Sequence, residues 1–154
     1  MAVKVRDTVT AEGRRLEKML KGLGRLEVRV GIQEGESSEE GVDLVDIAMF
    51  NELGTVHIPS RPFLRDSVDA NSDKINAFLQ SMKQEILKGG SAEDVLKKIG
   101  VFQKGLVQEE ITKGNFAPNS EATIKRKGSD TPLIDTGRMR QSINFVIKEK
   151  GGSD

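Results

Sequence analysis

The segment that most constrains the fold is NELGTVHIPSRPFLRDSV, Asn51 to Val68, because it stops one helical pattern, crosses two prolines and starts another. Upstream, Leu44, Ile47, Ala48 and Leu53 fall near one face of a short helix, which Gly54 can end from the left-handed position that glycine tolerates. Downstream, Pro62 suits the first turn of a helix, where its missing N–H would have no partner anyway. Val56, His57 and Ile58 are expected to be extended, since Pro59 disfavours the helical region for the residue before it. The segment therefore reads as a stiff corner that holds its two flanking elements in a fixed relation. It exposes polar groups around Thr55, His57, Ser60 and Arg61.

A chain of 154 residues with 36% hydrophobic content can bury one real core, and a second full domain has no room. The absence of cysteine excludes disulfides, thiol catalysis and cysteine-ligated zinc or iron–sulfur sites. Six phenylalanines are the whole aromatic complement, which leaves little for aromatic ligand cages or base-stacking platforms. Lys plus Arg and Asp plus Glu balance at 24 each, so general nucleic-acid binding is not expected, although local basic patches remain. No apolar run approaches the roughly 20 residues needed to span a membrane, and Met-Ala-Val-Lys begins no hydrophobic signal segment. Folding in a reducing cytoplasm is the expectation, with no cofactor and no membrane partner.

Along the chain, Leu16, Met19, Leu20 and Leu23 predict a helix from about Thr10 to Leu23, ended by Gly22 and Gly24. RLEVRVGI, Arg25 to Ile32, then alternates apolar and polar residues as the clearest strand. An acidic, serine-rich loop follows near residues 33–42, and Asp43 to Leu53 fits a helix. A long helical pattern runs from Pro62 to Leu87, with a bend or restart near Asn71-Ser72. After Gly89-Gly90, Ser91 is placed to cap a second long helix over Ala92 to Lys113, giving an antiparallel pair. Residues 114–131 read as a flexible polar loop, although it includes the basic run Lys125, Arg126 and Lys127. Asp135 or Thr136 can cap a short helix containing Arg138, Met139 and Arg140, before Ile143, Phe145 and Ile147 alternate as a final strand and 151–154 fray. The implied fold is one α+β domain over 1–154. It has a small antiparallel or mixed sheet, with Arg25 to Ile32 beside Ile143 to Lys148. The helices near Lys74 to Leu87 and Ala92 to Ile111 are expected to cover that sheet.

Two segments together carry a family resemblance: ELGTVHIPSRPFL, Glu52 to Leu64, and PLIDTGRMRQSI, Pro132 to Ile143. The chain resembles the tail-completion and head–tail-joining (neck) proteins of long-tailed bacteriophages, which are related to prophage minor tail and virion-morphogenesis proteins. The likeness covers nearly the full length and follows the family's order of helix, strand, glycine–proline–phenylalanine segment, long helices and late Asp-Thr-Gly segment. It implies a structural virion protein at the head-proximal end of the tail, repeated as a homo-oligomeric ring, most simply a hexamer. Its partners would be other neck and tail proteins. Its site would be the virion neck, reached from the host cytoplasm during assembly. The residues carried over are Gly54, Pro59, Arg61, Pro62 and Phe63 in the first motif, and Leu133, Asp135, Thr136, Gly137 and Ile143 in the second.

Enzymatic readings find little support among these residues. His57 is the sole histidine, with no cysteine partners and no metalloprotease spacing, so it reads as a corner residue. Asp135-Thr136-Gly137 matches the tripeptide of pepsin-like proteases, but no second Asp-Thr-Gly or Asp-Ser-Gly supplies the carboxylate with which a proton would be shared. No GxxxxGK[ST] loop is present for ATP-driven DNA packaging. Lys125, Arg126 and Lys127, with His57, are the candidate contacts for a partner or for DNA in a neck channel. Two alternatives stand beside structural assembly: a maturation hydrolase using Asp135, and a nonviral cytoplasmic adaptor that binds protein through its two middle helices.

Overall fold

The computed structural model describes residues 8–33, 41–134 and 137–151. Its first helix, α1 (Ala11–Arg25), is capped by Thr10, whose hydroxyl accepts from the Gly13 amide. The helix does not end at Gly22 or Gly24; it passes through both and runs directly into strand β1 (Leu26–Ile32). Gly22 serves packing instead, since a Cβ there would lie 2.7 Å from the Cβ of Ala92. β1 pairs antiparallel with the last strand, β2 (Ile143–Glu149), in a two-stranded ribbon that sets Val28 opposite Ile147, Val30 opposite Phe145 and Ile32 opposite Ile143. The alternation read from the sequence thus gives an α+β fold with an antiparallel sheet, one face apolar and the other carrying Glu27, Arg29, Asn144 and Lys148.

The intervening helices are α2 (Leu44–Leu53), α3 (Phe63–Asp69), α4 (Ser72–Leu87) and α5 (Ala92–Lys113). Asp43 caps α2 by accepting from the Val45 amide, and Ser91 caps α5 by accepting from the Asp94 amide. The long pattern from Pro62 divides at Ala70-Asn71, where Asn71 donates to the Ser67 carbonyl and α4 restarts. Pro62 lies one residue before α3 rather than inside its first turn.

Helix α5 organises the rest. Its 22 residues, roughly 33 Å long, lie across the apolar face of the ribbon. Contact is close because Gly100 leaves room for the Phe145 ring, into which any Cβ at that position would project. Only α5 of the two long helices covers the sheet. α4, expected to share that role, packs instead on α5 and α1, stacking Phe78 on Phe102 with ring centroids 4.1 Å apart and placing Glu85 3.1 Å from Lys98. Two apolar clusters result. Around the C-terminal half of α5, Val107 and Ile111 meet Leu44, Ala48, Phe63, Met139 and Ile143; around its N-terminal half, Ala92 and Val95 meet Met19. Phe63 and Ile143 are fully buried, so each motif anchors one residue in the first cluster.

The polar stretch 114–131 is not a continuous loop. It contains α6 (Glu121–Lys127), capped by the Ser120 hydroxyl accepting from the Thr123 amide and closed by Gly128 in the left-handed conformation. Helix α7 (Arg138–Ser142) follows Gly137, which has φ +79°. Asp135 and Thr136, the expected caps of that helix, lie outside the described residues, as do most of the acidic loop, 34–40, and the end of the chain, 152–154. Among the described residues no helix is long and apolar enough to cross a membrane.

Candidate functional site

The corner after α2 is built by side chains that answer backbone groups. Gly54 has φ +76° and ψ 167°, so the chain leaves the helix extended rather than in the left-handed helical region. A side chain there is excluded twice over, because a Cβ would also lie 2.9 Å from the Ser60 nitrogen. Val56, His57 and Ile58 are not extended. The Thr55 hydroxyl accepts from the amides of His57 and Ile58, and the Thr55 amide donates to the Ile58 carbonyl, which closes a tight turn. Pro59 restricts only Ile58, so it does not oppose this turn. The Ser60 hydroxyl donates to the Glu52 carbonyl, folding the turn back on α2. Pro62 provides no side-chain cap for α3, and Glu52 does so from a distance: its carboxylate accepts from the amides of Leu64 (2.8 Å) and Arg65 (3.1 Å).

Arg61, expected on the exposed surface of the corner, is only 7% exposed. Its Nε donates to the Ala117 carbonyl (2.8 Å), Nη1 to Asn51 Oδ1 (3.0 Å), and Nη2 to the Pro118 carbonyl (3.1 Å) and Asn119 Oδ1 (3.3 Å). All four acceptors are neutral, so the cation is compensated by oriented dipoles rather than by a carboxylate. Desolvation pushes the guanidinium down from its ordinary value, yet an arginine stays charged near neutral pH. The network continues. Asn119 Nδ2 donates to the carbonyls of Asp130 (3.4 Å) and Thr131 (3.2 Å), immediately before Pro132 and Leu133. The first motif is therefore hydrogen-bonded through Asn119 to the two residues that precede the second.

Between these segments lies a groove of about 740 Å³. Leu44, Ile47, Ile58, Leu133 and Met139 supply apolar walls, and His57, Arg126, Lys127 and Arg138 supply basic ones. No carboxylate lines it among the described residues. Leu133 has φ +62°, the one positive φ of a non-glycine residue among the described residues. That conformation costs on the order of 1–3 kcal/mol and persists where the surroundings overdetermine it. Here Leu133 is packed against the core cluster while its backbone follows the Asn119-tethered turn.

Of the residues singled out in the sequence, Pro59, Arg61, Leu133, Gly137, His57, Arg126 and Lys127 line this groove. Gly54 shapes its corner, while Phe63 and Ile143 support it from the core. Pro62 sits between corner and α3. Lys125 is exposed on α6 away from the groove lining. Asp135 and Thr136 cannot be placed, being outside the described residues. Sequence reasoning missed Asn51, Glu52, Asn119 and Arg138. The first two carry a readable signal, since a polar Asn-Glu pair falls in the last turn of a largely apolar helix, just before a proline corner that must satisfy its amides. Asn119 carries none. No group of three or more His, Asp or Glu among the described residues is arranged to hold a metal ion.

Comparison of the chain with protein-family models, with curated proteins and with solved structures finds no match in any of the three.

Proposed function

We propose that this chain is a structural subunit of a bacteriophage neck, forming a homomeric ring, most simply sixfold, that completes the head-proximal end of the tail and helps join it to the head. The observation that carries the reading is the hydrogen-bonded path from Arg61 through Asn119 to Thr131. The two motifs behind the resemblance lie some seventy residues apart in sequence, and this path brings them to the walls of one groove. A buried guanidinium spent wholly on backbone and amide acceptors acts as a fixed strut. A groove with apolar walls and basic edges suits an extended segment of a neighbouring protein that bears carboxylates.

The test uses particles carrying altered subunits. Replacing Arg126 and Lys127 together with alanine, at positions outside the buried core, is expected to leave a folded protein that yields fewer joined, infectious particles. Lys125→Ala, off the groove, should leave joining at the wild-type level. Normal joining with the double variant, or equal loss with Lys125→Ala, would refute the groove as the partner contact.

A further inference from the structure

Helix α2 has the sequence LVDIAMFNEL, apolar around most of its circumference, yet it buries only Leu44 and Ala48. At 100° per residue, Asp46, Met49, Phe50 and Leu53 fall together on the opposite side. Met49 is 46% exposed, Phe50 41% and Leu53 65%, and Val56 at the tip of the stiffened corner is 95% exposed. A row of large apolar side chains on a helix is ordinarily covered. With each fully exposed side chain presenting somewhat under ~200 Å², these four offer on the order of 400 Å² of apolar surface. That is about half of the ~800 Å² each partner contributes to a stable protein interface.

A second stripe lies elsewhere. On α4, Leu79 (42% exposed), Lys83 and Leu87 (65% exposed) recur every four residues beside the row of Phe78, Met82 and Ile86 that packs inward. The inner face of α2, Leu44 and Ala48, packs in the cluster at Val107 and Ile111, whereas Met82 and Ile86 on the inner face of α4 pack in the cluster at Val95. From Val95 to Ile111 is roughly 24 Å along α5. The stripes are thus separate patches, similar in spacing and opposite in charge, one carrying Asp46 and the other Lys83.

We propose that the outer stripe of α2 on one copy of this chain docks on the outer stripe of α4 on a second copy, with Asp46 against Lys83, and that the contact repeats head to tail. The inference rests on the ring reading and names the surfaces that would build it. Two different patches joined in this way make a heterologous contact, which closes into a ring when its rotation permits. An isologous contact between two α2 stripes would stop at a dimer.

The test is sedimentation of the purified full chain over a wide concentration range, alongside Leu53→Glu and Leu87→Glu. Both side chains are mostly exposed, so thermal melts monitored by circular dichroism should confirm folding of each variant. Wild type is expected to form species larger than a dimer. Each variant alone should lose self-association by at least ~100-fold, because a carboxylate enters an apolar contact. Mixed together, the two variants should form a one-to-one pair and nothing larger, since each retains the surface the other lacks. Wild-type assembly that survives either substitution would overturn the assigned surfaces while leaving the ring reading intact. A mixture that stays monomeric would overturn the pairing of α2 with α4. A wild-type chain monomeric at every concentration would overturn both the surfaces and self-assembly of the free chain.

Discussion

Arg61 offers the sharpest test of how the site is held together. Replacing it with Met keeps much of the apolar stem and removes the buried charge, so the desolvation cost of the cation is recovered while four acceptors lose their donor. Hydrogen bonds to a charged donor contribute about 1.5–3 kcal/mol each, and buried acceptors left unmade cost about 1–3 kcal/mol. Two of the four are backbone carbonyls in a chain turn, where water can return, so the sum is not additive. A net loss of roughly 3 kcal/mol is expected, which for a chain of this length corresponds to about 6–12 °C in Tm. Arg61→Lys retains the charge but cannot reach acceptors on Asn51, Ala117, Pro118 and Asn119 with a planar fork, so it should recover less than half of that loss. Hydrogen exchange adds a local readout. Amides from 115 to 131 should lose protection first in both variants, because Arg61 ties that stretch to Asn51 of α2 and positions Asn119, which holds its two ends together. A lysine variant with wild-type Tm, or loss of stability without early opening of 115–131, would refute the strut.

Phe63→Ala should lower stability by about 3–5 kcal/mol, since the ring is fully buried among Leu44, Val107 and Ile111; an unchanged denaturant midpoint would show that the ring is not the core anchor. Gly54→Ala should cost about 2 kcal/mol or more, because it combines an unfavourable positive φ with a Cβ set 2.9 Å from the Ser60 nitrogen; a wild-type melt would contradict that geometry. Burial, reinforced by Asp66 and Glu109, raises the Glu110 carboxyl above its ordinary value, so the folded chain holds this proton more tightly than the unfolded chain and ionisation of Glu110 is destabilising. Glu110→Gln should therefore raise Tm near pH 7, and the advantage should shrink as pH falls toward the unfolded carboxyl range near ~4.3; an advantage that grew on acidification would reverse the assignment.

The strands were readable because one apolar face on a ribbon imposes alternation, and Leu26 to Ile32 and Ile143 to Ile147 keep an apolar residue at every inward position, with Val146 the one large apolar residue on the outer face. The cap at Ser91 was readable for a similarly local reason, since its side chain answers an amide three residues away. Long-range roles were not. An arginine next to a proline corner reads as solvent-facing, because its acceptors at Ala117, Pro118 and Asn119 lie more than fifty residues further along. Gly22 reads as a helix end for the same reason: the neighbour that requires a glycine is Ala92. α6 escaped notice because Ile124 is the one large apolar residue in its seven, although Ser120 before it, Gly128 after it and three basic residues in its last turn are all helix-end signals. The groove itself emerges only in three dimensions. Its motif residues are visible in the chain, but their convergence depends on Asn119, a residue with no local pattern to mark it.

The ring proposed above places this chain repeatedly around the head-proximal end of a phage tail. It is tested most directly by an electron-microscopy reconstruction of the intact head–tail junction from particles carrying the chain. A closed ring of identical subunits, sixfold and coaxial with the tail, is expected, with the groove between α2 and α6 facing an adjacent protein. Density for a single copy, or a junction complete without this chain, would contradict it.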